Sequence, residues 1–324
     1  MALEHVMQKS VPTFYFIGVT TSKSSIMNVF PLWMKEMGYP DVVLQGLDLK
    51  IHDEADVYMR AVTQIKYDPK SVGALVTTHK IDLLNAASDL FDNLDPYARL
   101  CGEISSISKR GEKLIGHAKD PISCGASMDD LLGDGYFGRT NGHVLCFGAG
   151  GSGISAALHL INKAKPSDRP KRFVVVNRSQ GRLDHMQAMI AKLDTDIEIE
   201  YIQNSDPSIN DGLMADQPDY SLVINATGMG KDTPGSPVTN VGLFPRYGIA
   251  WDFNYRGELD FMHQALAQRE ERRLIVEDGW LYFLHGWTQV ISEVLDHDIS
   301  PEIFQQLENI ANMVRPPMVK GLRR

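Results

Sequence analysis

Residues 143–161 read HVLCFGAGGSGISAALHLI, and this stretch decides how the rest of the chain is read. Val144, Leu145, Cys146 and Phe147 form an unbroken apolar run, as expected of a strand buried on both faces of a parallel sheet. The run stops at Gly148-Ala149-Gly150-Gly151-Ser152-Gly153, a full G-x-G-x-x-G. Ile154, Ala157, Leu158 and Ile161 then recur at the spacing of a helix face. Strand, glycine turn and helix come in the order a pyrophosphate site needs. The first glycine turns the chain, the second lets backbone approach phosphate, and the third lets helix and strand pack closely. The helix start adds unpaired N–H groups and a positive dipole end.

The next strand bears on the cofactor. Residues 172–176, RFVVV, read as a second buried strand that ends in Asn177-Arg178-Ser179. An NAD site places an acidic residue there, roughly 20 residues past the glycines, to hold the ribose 2′-hydroxyl. This chain has none. Asn177, Arg178 and Arg182 instead offer amide and guanidinium donors suited to a 2′-phosphate, so NADP(H) is the expected cofactor. The plainer alternative makes Arg178 and Arg182 solvated charges at a helix start. A second glycine loop, Asn225-Ala226-Thr227-Gly228-Met229-Gly230, closes another apolar strand and suits cofactor contact.

The whole chain sets the bounds. Its 324 residues exceed the size of one ordinary core and imply about two domains. With 43% apolar and 23% charged residues the composition is that of a soluble globular protein. A net charge of −9 argues against nucleic acid as a partner, since a binder needs a basic face. Cys101, Cys124 and Cys146 show no C-x-x-C spacing, which fits a reducing cytoplasm. No apolar run is long enough to span a bilayer, and the first residues lack the pattern of an export signal. The histidines include no H-E-x-x-H, so no metal is expected. A small molecule is the expected partner, for a chain acting as monomer or homodimer.

The first half alternates strands and helices: strands at 13–19, 41–47 and 71–76, with amphipathic helices from Ile26 and around Tyr58, Ala61, Val62 and Ile65. That alternation predicts a mostly parallel sheet. The hydroxyl-rich loop containing Ser22 and Ser24, and the loop Thr77-Thr78-His79-Lys80, both fall at carboxyl ends of strands and should share one cleft. A hairpin about Arg110-Gly111 leads to Lys119-Asp120-Pro121 and a helix start. The polar loop at 133–141 is expected to connect the domains. Strands at 144–147, 172–176, 197–202, 222–225 and 249–253 build the second domain, and apolar helices come after Asp278-Gly279 and Pro301.

Together these residues resemble the shikimate dehydrogenase family, in scattered motifs of the right order over nearly the whole chain. The glycine turn, Asn177-Arg178-Ser179, the I-N-A-T-G ending at Gly228 and Asp278-Gly279 look like that family's NADP-binding set. The Ser22-Lys23-Ser24 stretch is similar to its substrate-carboxylate loop. The resemblance implies that Lys80 is the catalytic lysine, Asp120 its partner aspartate and Tyr255 a substrate-side tyrosine. It also implies two α/β domains: a substrate domain over 1–122 completed by helices over about 280–324, and a Rossmann-type NADP domain over 123–279. The reaction implied is reversible hydride transfer between NADP(H) and a ring hydroxyl or ketone. A lysine near a carboxylate can be tuned to move the hydroxyl proton.

The departures bear on the substrate. Ala74 and Val76 stand where the family has a substrate-binding asparagine and threonine, and its A-V-N-T is here Glu103-Ile104-Ser105-Ser106. Its N-T-D is Ala118-Lys119-Asp120, and Gly286 replaces a glutamine, with Gln289 one turn on. Thr77 and Ser105 remain as hydroxyl contacts. A buried polar group left unpaired costs about 1–3 kcal/mol, so the pocket is expected to bind shikimate poorly and to prefer a related polyol carboxylate or cyclitol. His79 is a polar candidate for the site or, as readily, a turn residue satisfied by backbone. Glu103, His117 and Lys119 are new polar candidates near the substrate, on a hairpin where solvated charges are the ordinary outcome. One alternative is an NADP-binding regulator that keeps the fold without turnover. Another, a folate-type methylene dehydrogenase, would want a Tyr-x-x-x-Lys helix that is not found at Tyr58.

Overall fold

The computed structural model describes residues 6–231 and 233–317. Its contacts divide the chain into Met1–Lys119 with Gly286–Pro316 as one unit and Asp120–His285 as the body of the other.

The first unit carries β1 (Thr13–Gly18), α1 (Ile26–Glu36), β2 (Val43–Asp48), α2 (Ala55–Tyr67) and β3 (Ser71–Val76). It continues through α3 (Lys80–Ala87), β4 (Asn93–Leu94), α4 (Pro96–Cys101) and the hairpin β5 (Ser106–Arg110) and β6 (Lys113–His117). The sheet order is β2-β1-β3-β5-β6-β4. Pairs β1–β2, β1–β3 and β4–β6 are parallel, whereas the hairpin joins β3 and itself antiparallel. All six positions of β1 are buried, because both faces are covered. Tyr15 and Ile17 meet α2 and α3 through Tyr58, Val62 and Leu83. Phe14 and Phe16 meet Trp287 on the other face, at ring separations of 6.3 and 5.0 Å.

The second unit runs α5 (Asp120–Leu132), α6 (Tyr136–Thr140), β7 (Val144–Phe147), α7 (Gly151–Ile161), β8 (Arg172–Asn177), α8 (Gln180–Ile190) and β9 (Glu198–Gln203). Then come α9 (Pro207–Ala215), β10 (Leu222–Asn225), β11 (Ile249–Asp252), α10 (Asp260–Arg272), β12 (Ile275–Glu277) and the start of α11 (Trp280–Leu295). Sheet order is β12-β11-β10-β7-β8-β9, parallel throughout. The chain starts in the middle of the sheet at β7, works outward to β9, and returns to the other side at β10. That reversal makes a topological switch point between β7 and β10. The later part of α11, and α12 (Pro301–Met313), belong to the first unit, where Trp33 Nε1 donates to Leu307 O at 2.7 Å.

One expectation changes. Residues 133–141, expected to connect the domains, lie inside the second unit and include the helix α6. Gly135 and Asn141, both left-handed, bracket that single turn, so local polarity concealed it. The strands β4 and β12 escape sequence reading, since two and three residues are too short to show alternation.

Close backbone approach fixes the β7–α7 corner. A side chain at Gly153 would overlap the Gly148 carbonyl oxygen, and one at Gly148, with φ +118°, would overlap the Ala226 carbonyl. Gly181, early in α8, has open space around it. Gly153→Ala should therefore lower stability by about 2 kcal/mol or more, while Gly181→Ala is neutral or stabilising by about 0.5 kcal/mol. Urea unfolding of the two variants checks this, and equal midpoints would show that the corner is not under steric constraint.

Candidate active site

In the second unit the carboxyl ends of β7, β8, β9 and β10 border a cleft of about 230 Å³. Gly148, Gly150, Asn177, Arg178, Arg182, Ala226, Thr227 and Met229 line it. Gly150 precedes α7, and no side chain caps that helix, so Gly151 and Ser152 open it with first-turn N–H groups facing no side-chain acceptor. The nearest group to a side chain placed on Gly150 would be the Arg182 guanidinium, 3.6 Å away. The glycine turn is thus bare backbone with a cation beside it. Arg178 and Arg182 are exposed, and no carboxylate holds either guanidinium among the described residues. β8 ends in Asn177, with no acid at its tip.

Asn177 is expected from its position to donate to the cofactor, and the structure gives its amide another task. Its Oδ1 accepts the N–H of buried Ala149 at 3.2 Å and its Nδ2 donates to Ser179 O at 3.1 Å. The side chain ties the glycine turn to the end of β8, leaving the two arginines as the open donors. Ser179 is the N-cap position of α8 but makes no side-chain cap bond.

The loop after β10 is built from within. Thr227 Oγ1 donates to Asn225 Oδ1 at 2.6 Å and accepts the Met229 N–H at 3.1 Å, and Gly228 turns the chain at φ +77°. Asn225 and Asn254 both donate to Met229 O. Behind them Asp252 is fully buried, accepting from Asn225 Nδ2 and from the Asn254 N–H. Burial, with the nearby Asp278 charge adding to it, pushes the Asp252 carboxyl up to about 7 against the hydrogen bonds it accepts. Gly279, expected to contact the cofactor, is not among the cleft-lining residues. A side chain there would overlap the Phe253 carbonyl, so it seats the start of α11 on the loop after β11. Tyr255 in that loop is half-buried against Trp280 and Phe283, at 5.2 and 4.9 Å.

Sequence reasoning missed the far wall of the cleft: Asn204, Ser205, Pro207 and Asn210. A signal existed. Asp206-Pro207 is an N-cap with proline at the first helical position, and Asp206 does accept the Ser208 N–H. Asn204 then donates to Asn210, which donates to Pro237 O, fixing this wall to the loop beyond β10.

In the first unit Thr21 and Thr77, one from each hydroxyl loop, flank the end of β1. A side chain on Gly18, the last residue of β1, would lie 3.2 Å from Thr21 Cγ2 and 3.4 Å from Thr77 Oγ1. Asp48 anchors the first loop by accepting the Thr21 N–H at 2.8 Å and Oγ1 at 2.6 Å. Ser22 is left exposed and Ser24 half-buried, and Ser25 sits at the N-cap of α1. Lys80 opens α3 and is half-buried. Desolvation of its amine lowers its proton affinity, opposed first by the Glu103 charge and then by Cys101. Gln289 is half-buried on α11 in the same unit, while Asp120 opens α5 in the other.

The remaining polar candidates behave otherwise than expected. His79 is buried and pairs through Nδ1 with Tyr58 Oη at 3.2 Å, while its Nε2 has no hydrogen-bond partner among the described residues, so backbone there does not satisfy it. Ser105 is buried, and its Oγ accepts the Lys119 N–H at 2.8 Å. Glu103 and His117 are buried rather than solvated. His117 Nε2 pairs with Ser108 Oγ at 2.8 Å, and Lys119 Nζ reaches Glu293 at 2.6 Å. The cause is α11, which brings Glu293 against the hairpin from 174 residues away. Among the described residues no group of His, Cys, Asp and Glu side chains could hold a metal ion, and no helix is long and apolar enough to cross a membrane.

A switch-point cleft with a glycine turn and open arginines, on a sheet of this order, defines a Rossmann-type dinucleotide-binding unit. No family model matches the chain. The curated shikimate dehydrogenase (NADP(+)) of Symbiobacterium thermophilum is 28% identical over 218 residues, covering 67% of this chain and 69% of that one. The shikimate dehydrogenase (NADP(+)) of Lactococcus lactis subsp. cremoris is 31% identical over 178 residues, 55% and 59% of the two chains. Two solved structures share the fold across its length. The 5-ketofructose reductase of Gluconobacter sp. has a TM-score of 0.67 at 21% identity, covering 93% of this chain and 99% of that one. Shikimate 5-dehydrogenase from Listeria monocytogenes, in complex with shikimate and NAD, has a TM-score of 0.69 at 17% identity, covering 94% and 99%. In sequence the chain resembles curated NADP shikimate dehydrogenases, and in fold it resembles the solved structures of that kind.

The buried acid gives a test of this unit. Folded Asp252 keeps its proton to about pH 7, against an ordinary 3.8, so between those values the folded state binds the extra proton. Its contribution to stability is present at low pH and is lost as pH rises through that window. Asp252→Asn should therefore gain stability relative to the parent chain as pH goes from about 5 to about 8. Denaturant midpoints at both pH values measure it, and an offset that does not change with pH would contradict the assignment.

Proposed function

We propose that the chain is an NADP-dependent oxidoreductase that interconverts a ring hydroxyl and a ketone on a cyclic polyol, a shikimate-like carboxylate or cyclitol other than shikimate. The observation that carries this is the pairing of a bare glycine turn with two unheld guanidiniums at the end of an acid-free β8. The names of the similar proteins, NADP shikimate dehydrogenases and a ketofructose reductase, support it.

The residues present fit the cofactor. Gly150, Gly151, Ser152 and the α7 start would hold the pyrophosphate, and Arg178 and Arg182 the 2′-phosphate. Ala149, Asn177 and Gly153 keep the turn in shape, and Ala226, Thr227 and Met229 form the opposite side, with Gly228 turning the chain between them. When bound, NADP(H) accepts or supplies the hydride. Lys80 Nζ takes the hydroxyl proton in the oxidising direction and returns it in the other, a role that its lowered proton affinity favours. The family resemblance gives Asp120 the part of orienting the substrate hydroxyl. Ser22, Ser24, Thr77, Gln289 and Tyr255 supply polar contacts to the ring and its substituents. Ser105, whose Oγ is engaged by the Lys119 N–H, contributes less.

The choice against shikimate rests on Ala74 and Val76. Both are buried, and neither can donate or accept through its side chain. A panel of cyclitols and hydroxy acids, with shikimate and quinate as controls, should give nicotinamide absorbance change with NADP and a ring substrate other than shikimate. Lys80→Ala should lower that turnover by about 10²–10⁴ while NADP(H) binding survives. Near-normal turnover of the variant removes Lys80 from the mechanism. Silence across the panel with intact NADP(H) binding favours a regulator.

A further inference from the structure

Glu103 lies in a strap that the fold draws against Lys80. The helix α4 ends at Cys101, Gly102 reverses the chain with φ +63°, and Glu103 comes next with only 8% of its surface exposed. Three backbone bonds fix this strap. Ile104 N–H donates to Lys80 O at 3.4 Å, Val76 N–H to Ser105 O at 2.9 Å, and Ser105 N–H to His117 O at 2.8 Å. The strap therefore spans the ends of β3 and β6, where the Lys80 loop leaves the sheet.

A carboxylate so far out of water needs a compensating charge. The titratable groups around it are Lys80, Cys101 and, beyond Cys101, Asp95. Burial pushes the Cys101 thiol up to about 12, so it stays neutral, and Asp95 has the wrong sign. His79, next to Lys80 in sequence, faces Tyr58. The Lys80 ammonium is the cation of this group.

We propose that Glu103 is a positioning residue for Lys80, a buried anion that the strap sets near the amine and whose charge governs when the amine releases a proton. This rests on the reading of Lys80 as the acid/base group. It deepens that reading by placing control of the proton within the first unit, in addition to the part given to Asp120. In the oxidising direction the amine must be neutral to accept the hydroxyl proton. In the reducing direction it must be charged to donate one. A carboxylate beside it moves the pH at which the two directions exchange.

The test observes Lys80 directly. Reductive ¹³C-methylation of lysines and NMR titration give its proton affinity, with the resonance assigned by its loss in Lys80→Ala. In Glu103→Gln the Lys80 titration should move to lower pH, because removing the anion makes the ammonium less favourable. Glu103→Asp should move it less. The pH profile of kcat/KM for the oxidation should shift the same way, its rising limb moving to lower pH, which a purely structural side chain would not cause. A Lys80 titration unmoved in both variants overturns the proposal, and the Asp variant decides alone should the Gln variant not fold. A moved titration without turnover on any substrate would sink the proposed reaction and leave the tuning of Lys80 by Glu103 standing.

Discussion

The contact on which the rest depends is backbone against backbone at the end of β7. Gly148 rests on the carbonyl of Ala226, and Gly153 rests on the carbonyl of Gly148. These approaches bring a strand, the helix after it and the loop after β10 to within a peptide's thickness of one another. Side chains at those positions would separate the elements and widen the cleft that they border. The same closeness leaves the first N–H groups of α7 with no capping side chain, which is the condition for an anion to be received there.

Around that corner the chain's charges fall into two kinds. Glu293 in the first unit is ringed by Lys119, Arg110 and His117; burial opposes its ionisation, but the hydrogen bond from Lys119 and the other neighbours outweigh it and hold the carboxyl below the usual range. Such groups are held in place by one another. Arg178 and Arg182, by contrast, have no carboxylate at hand among the described residues, and they stand beside the bare turn. Exposed guanidiniums cost little to leave unpaired in water, and they gain most when a dianionic phosphate meets them. Lys80 stands between these cases, with its amine desolvated and the Glu103 charge acting against that loss.

Much of this was legible in the sequence because its signals were local. The glycine turn, the acid-free end of β8 and the Asn225–Gly230 loop each lie within a few residues of a strand end, and strand ends in a parallel sheet face one crevice. The illegible parts came from distant partners. Nothing near His117 or Lys119 announces Glu293, so both have the look of solvated charges. Asn177 has the look of a free donor until the turn 28 residues earlier folds back on it. The α6 helix and the strands β4 and β12 are shorter than any periodicity can reveal. The wall at Asn204 was readable from Asp206-Pro207, a capping pair that marks the helix start beside it.

The central claim is that the corner and its arginines select a dinucleotide carrying a 2′-phosphate. Calorimetric titration of the intact chain with NADPH and with NADH, repeated on Arg178→Ala and Arg182→Ala, addresses it most directly. Tighter binding of NADPH, with the preference reduced in both variants and NADH affinity little changed, is the result expected. Tighter binding of NADH, or an NADPH preference that survives both substitutions, would contradict it.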